Sequence, residues 1–203
     1  MNKTKIIVAT HNKHKATEIK AIFAKLCDAE VMTLSDVGFD GDIIEDGATF
    51  EENALIKARV AASLGDIGIG DDSGLCVDAL GGAPGIYSAR YAGEPSNDKN
   101  NNAQLLEELA KTKTNGRSAK FVSVIGCVLS DGTEFTVRGE CRGVILNAQR
   151  GEGGFGYDPL FYYEPLGKTF AELSPDEKNT ISHRAVAIGK FAERFKEITK
   201  EIK

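Results

Sequence analysis

The sequence predicts an α/β fold built on a mixed β-sheet, and three features carry that reading. Lys5 to Ala9 is a short apolar run with two isoleucines and a valine, followed by a polar turn and then Ile19, Ile22, Phe23 and Leu26 at helical spacing. Phe121 to Leu129 and Glu134 to Leu146 read as two long strands around a Ser130-Asp131-Gly132-Thr133 hairpin turn. Ile188, Phe191, Phe195, Ile198 and Ile202 recur every three or four residues and give a final helix, starting near Ser182, one buried stripe.

The remaining elements follow in order. Thr49-Phe50-Glu51-Glu52 has the spacing of a capping box, so a helix starts there and continues through Ala54, Leu55, Ala58 and Ala61 to a stop near Gly65. Ile67 to Gly70 reads as a brief strand ending at Asp71-Asp72, and residues 81–85 (Gly-Gly-Ala-Pro-Gly) as loop. Asn97 to about Lys113 forms a helix with Leu105, Leu106 and Leu109 on its apolar face, and Asn115-Gly116 ends it. There is no internal repeat, low-complexity tract or linker, so residues 1–203 read as one domain. The strand order does not follow from the pattern.

Composition narrows the function classes. The chain has 203 residues, 41% of them hydrophobic and 27% charged, which is ordinary for a globular protein. Its net charge of -5 opposes nucleic-acid binding unless a local basic patch exists, and none is visible. No apolar run reaches the roughly 20 residues that span a bilayer, and the N-terminal run is too short for a signal peptide. The four cysteines (Cys27, Cys76, Cys127 and Cys141) are widely spaced and read as reduced, buried thiols, so the expected compartment is the cytoplasm.

Five segments could carry chemistry. Thr10, His11, Asn12, Lys13, His14 and Lys15 join a strand to a helix, and such a turn can present a hydroxyl, an amide, lysines and backbone N–H groups to a phosphate. A solvated polar turn is the alternative. Glu45 and Asp46 precede the second helix, and Asp71-Asp72 are adjacent carboxylates beside Ser73-Gly74. Such a pair is costly without a neighbouring positive charge, which Mg²⁺ supplies in phosphate chemistry, leaving a carboxylate to activate water. An Asx turn is the competing explanation. In the glycine-rich run Gly151 to Asp158, Phe155 can stack on a base and Asp158 can accept from a ring N–H, unless the run is simply a structural loop. Ser182-His183-Arg184 places donors at a helix start, where the dipole disfavours cations and a ligand carbonyl would repay them; Lys178 is near in sequence.

These motifs, in this order, resemble the inosine triphosphate pyrophosphatase family (dITP/XTP pyrophosphatases). The match includes Thr-x-Asn-x-x-Lys at 10–15, Thr49 to Ala54, Asp71 to Leu75, Gly81 to Tyr91, Gly153 to Asp158 and Ser182-His183-Arg184. His11 departs from the glycine frequent at that position. The resemblance implies an elongated two-lobed α/β protein around a long central mixed β-sheet flanked by helices, with the active-site cleft between the lobes. It also implies a homodimer and Mg²⁺-dependent hydrolysis of a purine nucleoside triphosphate to monophosphate and pyrophosphate, cleansing the nucleotide pool of ITP, dITP and XTP.

Carried over residue by residue, Thr10, Asn12 and Lys15 match the family's phosphate turn, with Lys57 assisting. Asp72 matches its proton acceptor and metal ligand, with Glu45 as a second metal ligand. Ser73 matches a substrate contact, and Phe155, Gly156, Tyr157, Asp158, Lys178, His183 and Arg184 match the base and ribose pocket. Lys15 and Asp71 join Asp72 as catalytic candidates, and which aspartate activates water stays open. A nucleotide-binding regulatory protein without turnover is the rival, against which the intact acids argue. Arg184→Ala should raise KM and erode base selectivity; equal losses of kcat with ITP and ATP would overturn that role.

Overall fold

The computed structural model describes residues 5–10, 16–17, 20, 29–114 and 116–201, with side chains as far as Ile198. The expected first helix lies largely outside the described residues, as do the turn residues His11 to Lys15, Cys27 and Asn115.

Seven strands form one mixed sheet: β1 (Lys5–Ala9), β2 (Glu30–Thr33), β3 (Ile67–Val77), β4 (Ser118–Val128), β5 (Glu134–Ile145), β6 (Phe161–Tyr163) and β7 (Lys168–Thr169). Their order is β2-β1-β3-β4-β5-β6-β7. β1 is parallel to β2 and β3, and β6 is antiparallel to β5 and β7. The helices are α1 (Phe50–Ala62), α2 (Asp98–Lys111), α3 (Pro175–Ile181) and α4 (His183–Glu201). The expected hairpin is present: Leu129 N–H donates to Thr133 O at 2.9 Å, and Gly132 takes a positive φ of 85°. Among the described residues no helix is long and apolar enough to cross a membrane.

Two expectations need correction. β3 does not stop at Gly70; it runs 11 residues through Asp71-Asp72 to Val77. Acids are poor strand formers, so the pattern suggested an end, but both carboxylates find partners on the two faces of the strand. Only half of the expected capping box at α1 forms. Thr49 Oγ1 accepts from Glu52 N–H at 3.1 Å, whereas the Glu52 carboxylate accepts from Ala48 N–H at 2.6 Å rather than from Thr49.

The chain folds as two compact units. The first gathers the described residues of Met1–Asp72, Ser123–Gly139 and Arg184–Lys203. Strand alternation sorts its β3 residues by face. Ile67 and Ile69 join Ile125, Cys127, Ala187, Ile188 and Phe191 in one core, so this face meets α4. Gly68 and Gly70 face α1, and a Cβ on either would collide with the α1 backbone at Ala58 or Ala54. A Cβ on Gly126 of β4 would stand 2.8 Å from Ala54 O. With alanines at 54, 58 and 61 on its buried face, α1 therefore lies unusually close to the sheet.

The second unit comprises Ser73–Val122 and Glu140–His183. Leu105 and Leu109 of α2 pack in its core with Leu75, Val77, Phe121, Phe161 and Phe170. The Phe121 and Phe161 ring centroids are 4.6 Å apart. β2, β6, β7 and α3 escaped the sequence reading because each is short. Helix α3 did carry a signal: Ser174, Pro175 and Glu177 form a complete capping box with proline in the first turn. Ser182 consequently follows α3, and its N–H donates to Lys178 O at 2.9 Å.

Gly70→Ala is expected to destabilise the protein by about 1–3 kcal/mol through overpacking against α1. Gly189→Ala, in α4 with nothing within 4 Å of the added Cβ, should be neutral or stabilising. Thermal midpoints of the two variants check the contrast.

Candidate active site

In the first unit the acids are organised by a buried lysine. Lys57 of α1 is 6% exposed, and its Nζ donates to Asp72 Oδ1 at 2.8 Å and to Glu45 Oε2 at 2.7 Å. Burial by itself would favour the neutral amine, but the charges of Asp72 and Glu45 outweigh it and hold the pKa above the ordinary lysine value. Lys57 is therefore a fixed cation joining two carboxylates. The close approach of α1 to β3 makes this contact possible, since Asp72 shares the α1-facing side with Gly68 and Gly70. The loop carrying Glu45 is tied to the same helix, where Asn53 Oδ1 accepts from Gly47 N–H at 2.9 Å.

Asp71 projects from the opposite face and joins a different group. Its Oδ1 accepts from Ser123 Oγ at 2.7 Å and stands 3.6 Å from Arg184 Nε. Asp71 and Arg184 are 2% and 1% exposed, so the charges must be matched locally. The structure thus separates the twin aspartates, one toward Lys57 and Glu45 and the other toward Ser123 and Arg184. Thr10 directly follows β1, and its N–H donates to Val8 O at 2.9 Å.

In the second unit the glycine-rich loop is built around Asp158. Its Oδ2 accepts from Phe155 N–H at 2.9 Å and from Lys178 Nζ at 2.7 Å, and the residue is 3% exposed. Gly154 and Gly156 have positive φ of 73° and 61°, and a Cβ on Gly154 would strike the Asp158 carboxylate. Lys178 Nζ lies 4.7 Å from the Phe155 ring centroid, a cation–π distance. Gly156 is held twice from α2: its N–H donates to Asp98 Oδ2 at 2.7 Å, and its carbonyl accepts from Asn102 Nδ2 at 2.8 Å. The Tyr157 hydroxyl donates to Ser88 O at 2.8 Å, and burial pushes its pKa upward. The buried His183 ring stacks on Phe121, with centroids 4.8 Å apart and planes 15° from parallel.

Phe155, Gly156, Asp158 and Lys178 are thus brought together in one unit, and Glu45, Lys57 and Asp72 in the other. Ser73 is half-buried in β3 immediately after Asp72, and His183 and Arg184 are likewise neighbours in the chain. Positions 11–15 lie outside the described residues. Cys127 and Cys141 are buried thiols, pushed by burial up to about 12 and about 11, as expected of structural cysteines.

The profile described as the Ham1 family matches residues 6–194. The chain belongs to the Ham1 family. It is 48% identical over 203 residues to the dITP/XTP pyrophosphatase of Clostridium perfringens, covering 97% of this chain and 99% of that one. It is 49% identical over 194 residues to the dITP/XTP pyrophosphatase of Geobacillus kaustophilus, covering 95% of each. Among solved structures, the Ham1 protein of Staphylococcus aureus superposes with a TM-score of 0.85 at 42% identity, over 96% of this chain and 99% of that one. The HAM1 protein of Coxiella burnetii gives 0.87 at 37% identity, over 96% and 99%. The Ham1 match thus includes every side chain of both groups.

Sequence reasoning missed Ser123, Asn53, Asp98 and Asn102. Ser123 gave no signal within its apolar strand. Asn102 did, because it shares a stripe with Leu105 and Leu109 and is a polar residue at a core position.

Lys178 is carried by α3, whose capping residue Glu177 is tied to Lys168 at 2.8 Å. The Lys168 hydrogen bond, with Ser174 assisting, lowers the Glu177 pKa from 4.5 to about 2. A depressed carboxylate stabilises fully above its unfolded pKa, and that contribution fades as pH falls from 4.5 toward 2. Glu177→Gln should therefore flatten this part of the acid limb, checked by urea midpoints across that window.

Proposed function

We propose that this Ham1 protein hydrolyses deaminated purine nucleoside triphosphates (ITP, dITP and XTP) to the monophosphate and pyrophosphate. The observation that carries the proposal is Lys57 joining Asp72 and Glu45 in a chain that matches dITP/XTP pyrophosphatases over nearly its full length. The acids and lysine serve the phosphates, and the Phe155 to Asp158 loop with Lys178, His183 and Arg184 serves the base. Thr10, Ser73 and the segment His11 to Lys15, with Asn12 and Lys15 foremost, complete the phosphate contacts in this reading.

Mg²⁺ suits the acidic group. Among the described residues no cluster of three or more His, Cys, Asp or Glu side chains forms, so a purely protein-made cage is not offered. Two carboxylates completed by phosphate oxygens and water are what Mg²⁺ favours, and Asp72 and Glu45 are such a pair of hard oxygen donors. When bound, the metal neutralises phosphate charge.

Asp72 is the proton acceptor of this reading. The water oxygen bonds to phosphorus at the α–β anhydride, its proton passes to the Asp72 carboxylate, and the bridging P–O bond breaks. Lys57, permanently charged, holds Asp72 and Glu45 in place and offsets their repulsion. Asp71 is assigned to Arg184 instead, because its carboxylate faces Ser123 and the guanidinium.

Discrimination against adenine follows from hydrogen-bond polarity, and rejection of guanine, which shares the 6-oxo group, must arise at the 2-position. Hypoxanthine and xanthine present a 6-oxo acceptor, and adenine a 6-amino donor. Lys178 and Arg184 can only donate, as can His183 when it is protonated, so adenine would leave donors unpaired at a cost of about 1–3 kcal/mol each. A homodimer in the cytoplasm completes the proposal, on family resemblance.

Pyrophosphate release from ITP, dITP, XTP, GTP, ATP and dUTP, with Mg²⁺ and with EDTA, tests this function. Metal-dependent release confined to inosine and xanthosine nucleotides is expected. Binding without release would point to a regulatory protein, and release from dUTP alone would remove the base assignment. Asp72→Asn should lower kcat by about a hundredfold or more, whereas Asp71→Asn should act mainly on KM; the reverse pattern would exchange their roles.

A further inference from the structure

Three consecutive peptide planes around Phe155 are pinned by side chains. The plane entering Phe155 is held by its N–H on Asp158 Oδ2, at 2.9 Å. The plane leaving it is held by the Gly156 N–H on Asp98 Oδ2, at 2.7 Å. The plane after Gly156 is held by its carbonyl on Asn102 Nδ2, at 2.8 Å. Peptide planarity leaves only φ and ψ free at each residue, so fixing the planes on both sides of Phe155 fixes the direction of its Cα–Cβ bond. Gly156 must hold a left-handed φ of 61° for the third plane to reach Asn102.

Two of the three pins come from α2, a helix with no other part in the site. Asp98 and Asn102 are four residues apart and so share one face of α2. Asn97 caps that helix, its side chain accepting from Asn100 N–H at 3.0 Å, which fixes the first turn carrying Asp98. The helix is anchored in turn by Leu105 and Leu109, further along the same stripe as Asn102. Asn102 is 3% exposed, and among the described residues its Oδ1 has no hydrogen-bond partner. Leaving a buried amide oxygen unmatched costs stability. For stability alone an apolar side chain would serve this core position better, so the Asn102–Gly156 bond points to placement of the loop.

We propose that Asp98 and Asn102 form a two-point clip on Gly156 that aims Phe155 at the purine base, making both of them positioning residues for base recognition. The clip rests on the reading that Phe155 stacks on the base. It touches neither the phosphate-binding nor the metal-binding side chains, so its effect falls on nucleotide affinity. Asp98 contributes a charge-assisted bond and Asn102 a neutral one, and Asp98→Asn keeps an acceptor oxygen where Asp98→Ala does not.

Equilibrium binding of inosine monophosphate tests the clip, since this ligand carries the 6-oxopurine but no anhydride, and the result does not depend on turnover. Asp98→Ala and Asn102→Ala are each expected to raise Kd by about tenfold, with Asp98→Asn restoring most of the affinity. In a Phe155→Ala background the same substitutions should change Kd less than about twofold, because the residue they aim is gone. Equal losses in both backgrounds would mean a general structural role and would overturn the clip. So would unchanged affinity in Asp98→Ala and Asn102→Ala while Phe155→Ala weakens binding. If Phe155→Ala leaves affinity unchanged, the base-stacking reading falls and the clip falls with it, whatever the hydrolysis assay shows.

Discussion

Two adjacent carboxylates cannot share one face of a strand, and most of the first unit follows from that constraint. β3 sends Asp72 toward α1 and Asp71 toward α4, so each needs its own partner in a buried setting. Lys57 answers the first, and Ser123 with Arg184 the second. Each solution requires a helix at the right height against the sheet. Gly68, Gly70 and Gly126 provide it on one side by letting the α1 backbone approach closely. Packing of Ile188 and Phe191 against Ile69 and Ile125 provides it on the other.

The chemistry grows from this arrangement. A buried lysine between two acids is held in its charged form by them, against the pull of burial. It keeps two carboxylates together, which in the proposed reading suits a cation-dependent reaction on a phosphate anhydride. The second unit uses the same device in another form. There Asp158 binds Lys178 and a backbone N–H of its own loop, so the cation near Phe155 is fixed by the loop it serves. In both places the hydrogen bonds of a carboxylate fix the geometry of a neighbouring lysine.

The chain is similar to dITP/XTP pyrophosphatases over nearly its whole length. Family membership places the chain among enzymes of that name, while the geometry shows which side chains meet. Asn102 shows the difference most clearly. Its polar side chain on an otherwise apolar stripe has a physical reason only once Gly156 is seen to receive its hydrogen bond.

Periodicity and turn chemistry were local properties, and the sequence alone therefore determined the α/β class, the hairpin at Ser130 to Thr133, the helices at α1, α2 and α4, and most of the site motifs. Asn102, a polar residue on the stripe of Leu105 and Leu109, was a signal in the sequence that the reading passed over. What the sequence could not decide were the features set by residues distant in the chain. The continuation of β3 through Asp71-Asp72 depends on Lys57, Ser123 and Arg184, which no window around the aspartates contains. The separate partners of the twin acids, the two bonds from α2 to Gly156 and the strand order are likewise tertiary. Short β6, β7 and α3 were missed because a few residues carry too little periodicity, and long-range pairing and packing supply what local propensity lacks.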